Sequence, residues 1–396
     1  MTESRLQRWL LRVLVGLAVA AVVLLAVVGL LGGPAEEEIP QRPTATGAPE
    51  RELPSLFAAD SFWNDRLPDE IEVDPASERI VRDLVIAIRR ERQEGIGPWI
   101  ATTTGSTPLY VVPRDQARVR VRLDAIGVVG GRALRRAFAS VPVPANAKPA
   151  RGTDAHLTVW QPATDTMWEF WQAVKRRDGW HASWGGAMRA VSASPGYYGP
   201  RAWPNATTNW GATASSLPLI GGVMLLSEVR AGRIDHALAL NIPFPRKDVF
   251  AWPAQRTDGT GPPDALPEGA RLRLDPELDL DQFGLSPLTR MIAEAAQRYG
   301  MVVRDQTHHA TSLFIEDWSA HGGPNPELGA DGIYGGLTPS EMLSQFPWER
   351  LQLMKMRLCR NGHACRRPAK DLGSKARYGH RTAATSPRPV DLKASL

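Results

Sequence analysis

Cysteine is nearly absent: Cys359 and Cys365 are the only two in 396 residues. A fold stapled by many disulfides is therefore excluded, and stability has to come from a packed apolar core. With 43% hydrophobic and 22% charged residues the chain can build one. The two cysteines are separated by a short stretch containing Gly362, a spacing that can close a small disulfide loop. Lysine is scarce too, 7 against 40 arginines. The basic-aromatic signature of a nucleic-acid reader is missing, so no nucleic-acid partner is expected. Ser215 lacks the G-x-S-x-G elbow of an α/β-hydrolase. Asp331 to Gly336 is a glycine turn with no Gly-Lys-Ser/Thr after it, which excludes a phosphate loop. His308, His309 and His321 do not share a ligand spacing with a carboxylate, so neither a metal nor a cofactor is expected.

Long apolar runs are also rare. The one that stands out, Val13 to Leu31, carries no charge and can span a bilayer as a helix. Arg5, Arg8 and Arg12 precede it and Glu36, Glu37 and Glu38 follow, so the bulk of the chain is expected outside the cytoplasm. The rival, a cleaved signal peptide, calls for an apolar core of about 7–15 residues and an A-x-A site, and neither fits here. The net charge of +5 is uneven: residues 360–396 hold nine basic and two acidic residues, leaving 38 basic against 40 acidic before them. The expected division is a cytoplasmic N-terminus (1–12), a transmembrane anchor (13–33), a Pro/Glu-rich linker (34–56), an extracytoplasmic β-rich domain (57–358) and a basic disordered tail with a small disulfide loop (359–396).

Within 57–358, 33 prolines and 35 glycines in the whole chain favour turns over long helices. Asp74-Pro75 starts a helix whose stripe is Ile80, Leu84, Val85 and Ile88. Ser286-Pro287 starts a second that Gly300 ends, and Thr338 to Glu341 is a capping box for a short third. Elsewhere short apolar or alternating stretches read as strands, at Trp99, Leu109, Arg118 to Leu123, Ile234 to Ile242, Arg271, Met301 and Leu351. The expectation is a mainly β fold, an antiparallel sandwich or jelly roll with two or three peripheral helices.

Five of thirteen tryptophans lie between His156 and Trp184. A turn at Pro162–Asp165 would pair Trp160 with Met167, Thr158 with Glu169 and Leu157 with Phe170. A second at Lys175–Gly179 would pair Ala173 with His181 and Trp171 with Ser183. One face then collects Leu157, Val159, Trp168, Phe170, Trp180, Ala182 and Trp184 as core. The other collects His156, Thr158, Trp160, Met167, Glu169, Trp171, His181 and Ser183, a mixture suited to sugars: indoles stack on rings while carboxylate and imidazole bind hydroxyls. Glu169 is the candidate general acid, with His156 and His181 adjusting it. Asp235 beside His236, Asp305, or Glu316-Asp317 could supply a second carboxylate. Trp160, Trp171, Thr158, Ser183 and Arg120 are the candidate substrate-binding residues. If a second layer covers this face, the same residues form a buried network with structural work only.

The runs GTDAHLTVW, WEFWQA, GWHASWGG, ATASSLPLIGG and EVRAGRIDHALAL resemble a group of secreted or membrane-anchored bacterial proteins, over most of residues 57–355. The resemblance implies a shared extracytoplasmic domain and no particular chemistry. Three functions are expected: a membrane-anchored protein that binds and hydrolyses a polysaccharide; a non-catalytic module for a cell-envelope glycan; or a lyase acting on an acidic glycan through Arg118, Arg120 and Arg122.

Overall fold

The computed structural model describes residues 55–125, 131–323, 325–363 and 365. The expected terminus 1–12, the anchor 13–33, nearly all of the linker 34–56 and most of the tail lie outside the described residues. Among the described residues no helix is long and apolar enough to cross a membrane.

The chain runs α1 (Ser77–Gln93), β1 (Trp99–Ala101), β2 (Leu109–Val111), β3 (Val121–Leu123), α2 (Gly131–Ala137), β4 (Leu157–Gln161), β5 (Thr166–Trp171), β6 (Val174–Arg176), β7 (Gly179–Ala182) and β8 (Trp184–Arg189). It continues with α3 (Leu226–Arg230), β9 (Leu238–Ile242), β10 (Val249–Ala251), β11 (Arg271–Leu274), α4 (Pro287–Arg298), β12 (Met301–Gln306), β13 (Ser312–Phe314), β14 (Leu351–Leu353) and β15 (Leu358–Arg360). Short strands and few helices make it mainly β, as expected. The sheets are mixed: β1 with β13, β9 with β12, β2 with β4 and β3 with β7 are all parallel. Parallel neighbours need long crossovers, and stretches such as 112–156 and 243–300, which carry helices or long loops, provide them.

Strand alternation explains the layering. In the six-stranded sheet, ordered β1-β13-β9-β12-β11-β14, Ile100, Leu238, Leu240, Met301, Val303 and Leu313 join one core with the apolar stripes of α1 and α4. Their neighbours Ala101, Ala239, Val302 and Phe314 join a second core with Trp160 and Met167 of the sheet β2-β4-β5-β8. The six-stranded sheet is thus covered on both faces. Its strands read as continuous apolar runs for that reason. A β-bulge at Arg304, between Val303 and Asp305, interrupts the β12 ladder. Far along the chain, β15 pairs with β10, and Cys359 is disulfide-bonded to Cys365 beside that ribbon.

Candidate functional site

The first hairpin keeps the register that the turn spacing predicts: Leu157 opposes Phe170, Thr158 opposes Glu169 and Trp160 opposes Met167. Pro162–Thr164 make one helical turn and Asp165 closes it in the left-handed region. The second hairpin differs. Gln172 adopts φ 55°, which turns the chain out of the sheet. Residues 174–182 then form a separate hairpin with Val174 opposite His181, and this pairs with β3. The strand returning beside β5 is β8, so Trp171 faces Trp184 and Glu169 faces Gly186. His181 therefore belongs to another sheet and does not share a face with Glu169.

The proposed ligand face is closed. Thr158, Trp160 and Glu169 are 0–1% exposed and His156 is 7% exposed. Glu169 Oε1 accepts the N–H of Ala212 and Oε2 that of Leu219, both at 2.7 Å. Burial pushes its carboxyl up to about 7, against the opposing pull of those two N–H groups, the Tyr198 hydroxyl and Arg304. Gly186 gives the Tyr198 ring its room, since a Cβ there would lie 2.4 Å from it. Burial likewise lowers His156 to about 4. Glu169 as an accessible general acid, and Trp160 and Thr158 as a sugar platform, are thus corrected: the loop 211–222 and the six-stranded sheet cover them, and Glu169 anchors that loop.

The other predicted residues are dispersed. His181 sits between Asp124 (3.0 Å) and Asp178 (3.2 Å), which also pair with Arg176 and Arg122 in a surface network. Arg122 thus neighbours His181, whereas Arg118 lies over the Trp168 ring, and Arg120 is exposed ahead of β3. Asp235 pairs with Arg233 at 2.7 Å on the surface. His236 binds Glu228 at 3.0 Å; burial lowers its pKa most, but the Glu228 charge and hydrogen bond, the Ala237 carbonyl and Asp235 together outweigh this and hold it above its ordinary value. Trp171 is half-buried and donates its indole N–H to Asp154 at 2.9 Å, and Ser183 donates to Gln172 at 2.6 Å.

Two other features carry chemistry. The first is a groove of about 560 Å³ edged by Phe62, Tyr197 and Trp252. Arg66, Arg201, Arg271, Lys355 and Arg357 line it against Asp60 and Asp65, so it is net positive. Arg271 donates Nε–H to the Tyr299 carbonyl at 2.8 Å and lies over the Phe62 ring. Its buried Nη2 has no acceptor, and burial lowers its pKa to about 10, offset in part by Asp65. The second is a cluster of Asp258, Glu268 and Asp305, whose carboxylate oxygens lie within 4.8 Å of one another. Burial pushes all three carboxyls above their ordinary values; Asp305 reaches about 7, and for Glu268 and Asp305 neighbouring carboxyls push further. Asp258 is exposed as a residue, but its carboxyl turns inward toward the others.

Asp305 was foreseeable as a lone acid on a strand. Asp258, Glu268 and the groove were not, because their members come from segments far apart in sequence. No protein-family model, curated protein or solved structure matches the chain.

Proposed function

We propose that the chain is a membrane-anchored, extracytoplasmic protein that binds an acidic polysaccharide in the groove edged by Phe62, Tyr197 and Trp252. The observation carrying this reading is Arg271, a buried guanidinium with a donor left over, lying over the Phe62 ring in a net-positive groove that Tyr197 and Trp252 also line. Aromatic faces suit sugar C–H faces, and a guanidinium fork suits a uronate carboxylate. The apolar run at Val13 to Leu31, with basic residues before it and acidic after, supports the anchor and the orientation. Four- and six-stranded sheets contributing to one shared core support a sandwich-like reading of the domain.

Full-length protein in neutral detergent, titrated with polygalacturonate and with a neutral glucan, tests this. Binding should favour the acidic polymer and fall by about tenfold or more in Trp252→Ala and in Arg201→Gln. Equal binding of both polymers, or unchanged binding in both variants, would sink it. Cleavage is a second reading, favoured by Asp60 and Asp65 lining the same groove. New chain ends in the bound polymer, lost in Asp65→Asn, would establish it.

A further inference from the structure

We propose that Asp258, Glu268 and Asp305 form a binding site for a hard divalent cation of calcium size. This goes beyond the glycan reading and does not depend on it. Three segments converge here: Asp258 from the loop after β10, Glu268 from the turn before β11 and Asp305 from the bulged part of β12. Their oxygens lie within 4.8 Å of one another. Two oxygens on opposite sides of a calcium ion are about 4.6–5.2 Å apart, so the set can close on one ion with little movement. An all-carboxylate donor set selects a hard ion over zinc or copper.

An acidic cluster alone would not justify a site. Glu268 supplies the second observation. It is 0% exposed, and neither carboxylate oxygen has a hydrogen-bond partner. A buried carboxylate without a donor is strongly disfavoured unless a cation or a proton satisfies it. The Thr257 hydroxyl and Arg256 are the neighbours that favour its charge. Arg256, however, directs its donors elsewhere: Nε to the Ser216 hydroxyl at 2.7 Å and Nη2 to the Thr213 carbonyl at 2.9 Å. Arg304 likewise donates to the Leu219 carbonyl. Asp305 Oδ1 takes the N–H groups of Ala214 and Gln306 at 3.2 and 3.0 Å, which fixes that carboxylate and leaves Oδ2 for an ion. Asp154 and His308 are the remaining charged groups that act on Asp258, one adding negative charge and the other opposing it.

The test uses the full-length protein in neutral detergent, with thermal unfolding and calorimetric titration in CaCl₂ against EDTA and MgCl₂. Calcium should raise the Tm and bind with a Kd on the order of 10⁻⁴ M or tighter. Glu268→Gln should abolish the Tm response, and Asp258→Asn, at the exposed rim, should weaken binding about tenfold. Should Glu268→Gln fail to fold, Asp258→Asn decides the matter. The proposal is overturned by equal Tm in calcium and EDTA, or by a calcium response that both variants retain. Stabilisation by calcium in the native protein that Asp258→Asn weakens supports it.

Discussion

Glu169 and Arg304 grip the same residue from two different sheets. Leu219 donates its N–H to Glu169 Oε2 at 2.7 Å, and its carbonyl accepts from Arg304 Nη1 at 2.5 Å. The same loop gives the N–H of Ala212 to Glu169 and that of Ala214 to Asp305. A glutamate on β5 and an arginine on β12 thereby fix residues 212–219 between the layers, with the loop's own backbone as the bridge.

Removing that carboxylate should be severe. Glu169→Ala leaves two buried N–H groups without an acceptor and removes one of the two carboxyls, with Asp305, that offset the Arg304 charge, so a loss of about 3–5 kcal/mol is expected. Asp235→Asn, which breaks only an exposed pair with Arg233, should change stability by less than about 1 kcal/mol. Urea unfolding of both variants checks the contrast; equal effects would remove Glu169 from its anchoring role.

Buried titratable groups should pull stability in opposite directions with pH, and the carboxyls should win. Glu169, pushed from 4.5 to about 7, favours folding while neutral. Its contribution is complete below pH 4.5 and is lost as pH rises through about 7, about 3 kcal/mol at most. Asp305, also raised to about 7, adds to the same limb. His156 is depressed from 6.5 to about 4, so its contribution is present above pH 6.5 and lost as pH falls through about 4. Between about pH 4.5 and 6.5 the two carboxyls lose more than the imidazole gains, so urea midpoints should fall from about pH 4.5 toward pH 7, and Glu169→Gln should make that fall shallower. An unaltered alkaline limb in that variant would refute the assignment.

Gly186 and Gly185 should tolerate no side chain. A Cβ on Gly186 would sit 2.4 Å from the Tyr198 ring and one on Gly185 2.2 Å from the Glu169 carbonyl oxygen. Both belong to β8, held by its ladder to β5. Gly186→Ala should destabilise by about 1–3 kcal/mol and Gly185→Ala by more, since its obstacle is backbone. Gly232→Ala, where no atom lies within 4 Å but φ is +79°, should show only the smaller strain of a left-handed residue. Thermal melts of the three rank them directly.

Local pattern carried the strands and much of their pairing. Side chains alternate with period two, and the Pro162–Asp165 turn leaves one register, so Leu157, Val159, Trp168 and Phe170 fall on one face, all buried. Trp180, Ala182 and Trp184 are buried too, although their strand is divided between two sheets. Nothing in the run Trp171-Gln172-Ala173 announces the left-handed turn at Gln172, because a non-glycine residue takes that conformation only when its surroundings compel it. That single turn separates His181 from Glu169.

By itself, then, the sequence determined a mainly β fold, its two principal helices, the first hairpin's register and which residues of that hairpin share a face. Only the tertiary structure decided whether the polar face was open. Its cover comes from Tyr198, Ala212, Leu219 and Arg304, 29 to 135 positions from Glu169, and periodicity has no information about what packs at such distances. The same is true of Asp258, Glu268 and Asp305, and of the rings and arginines in the groove. Alternation is a property of one strand, whereas burial and the convergence of charges are set when layers meet, so the chemistry moved from the predicted face to places that folding assembled.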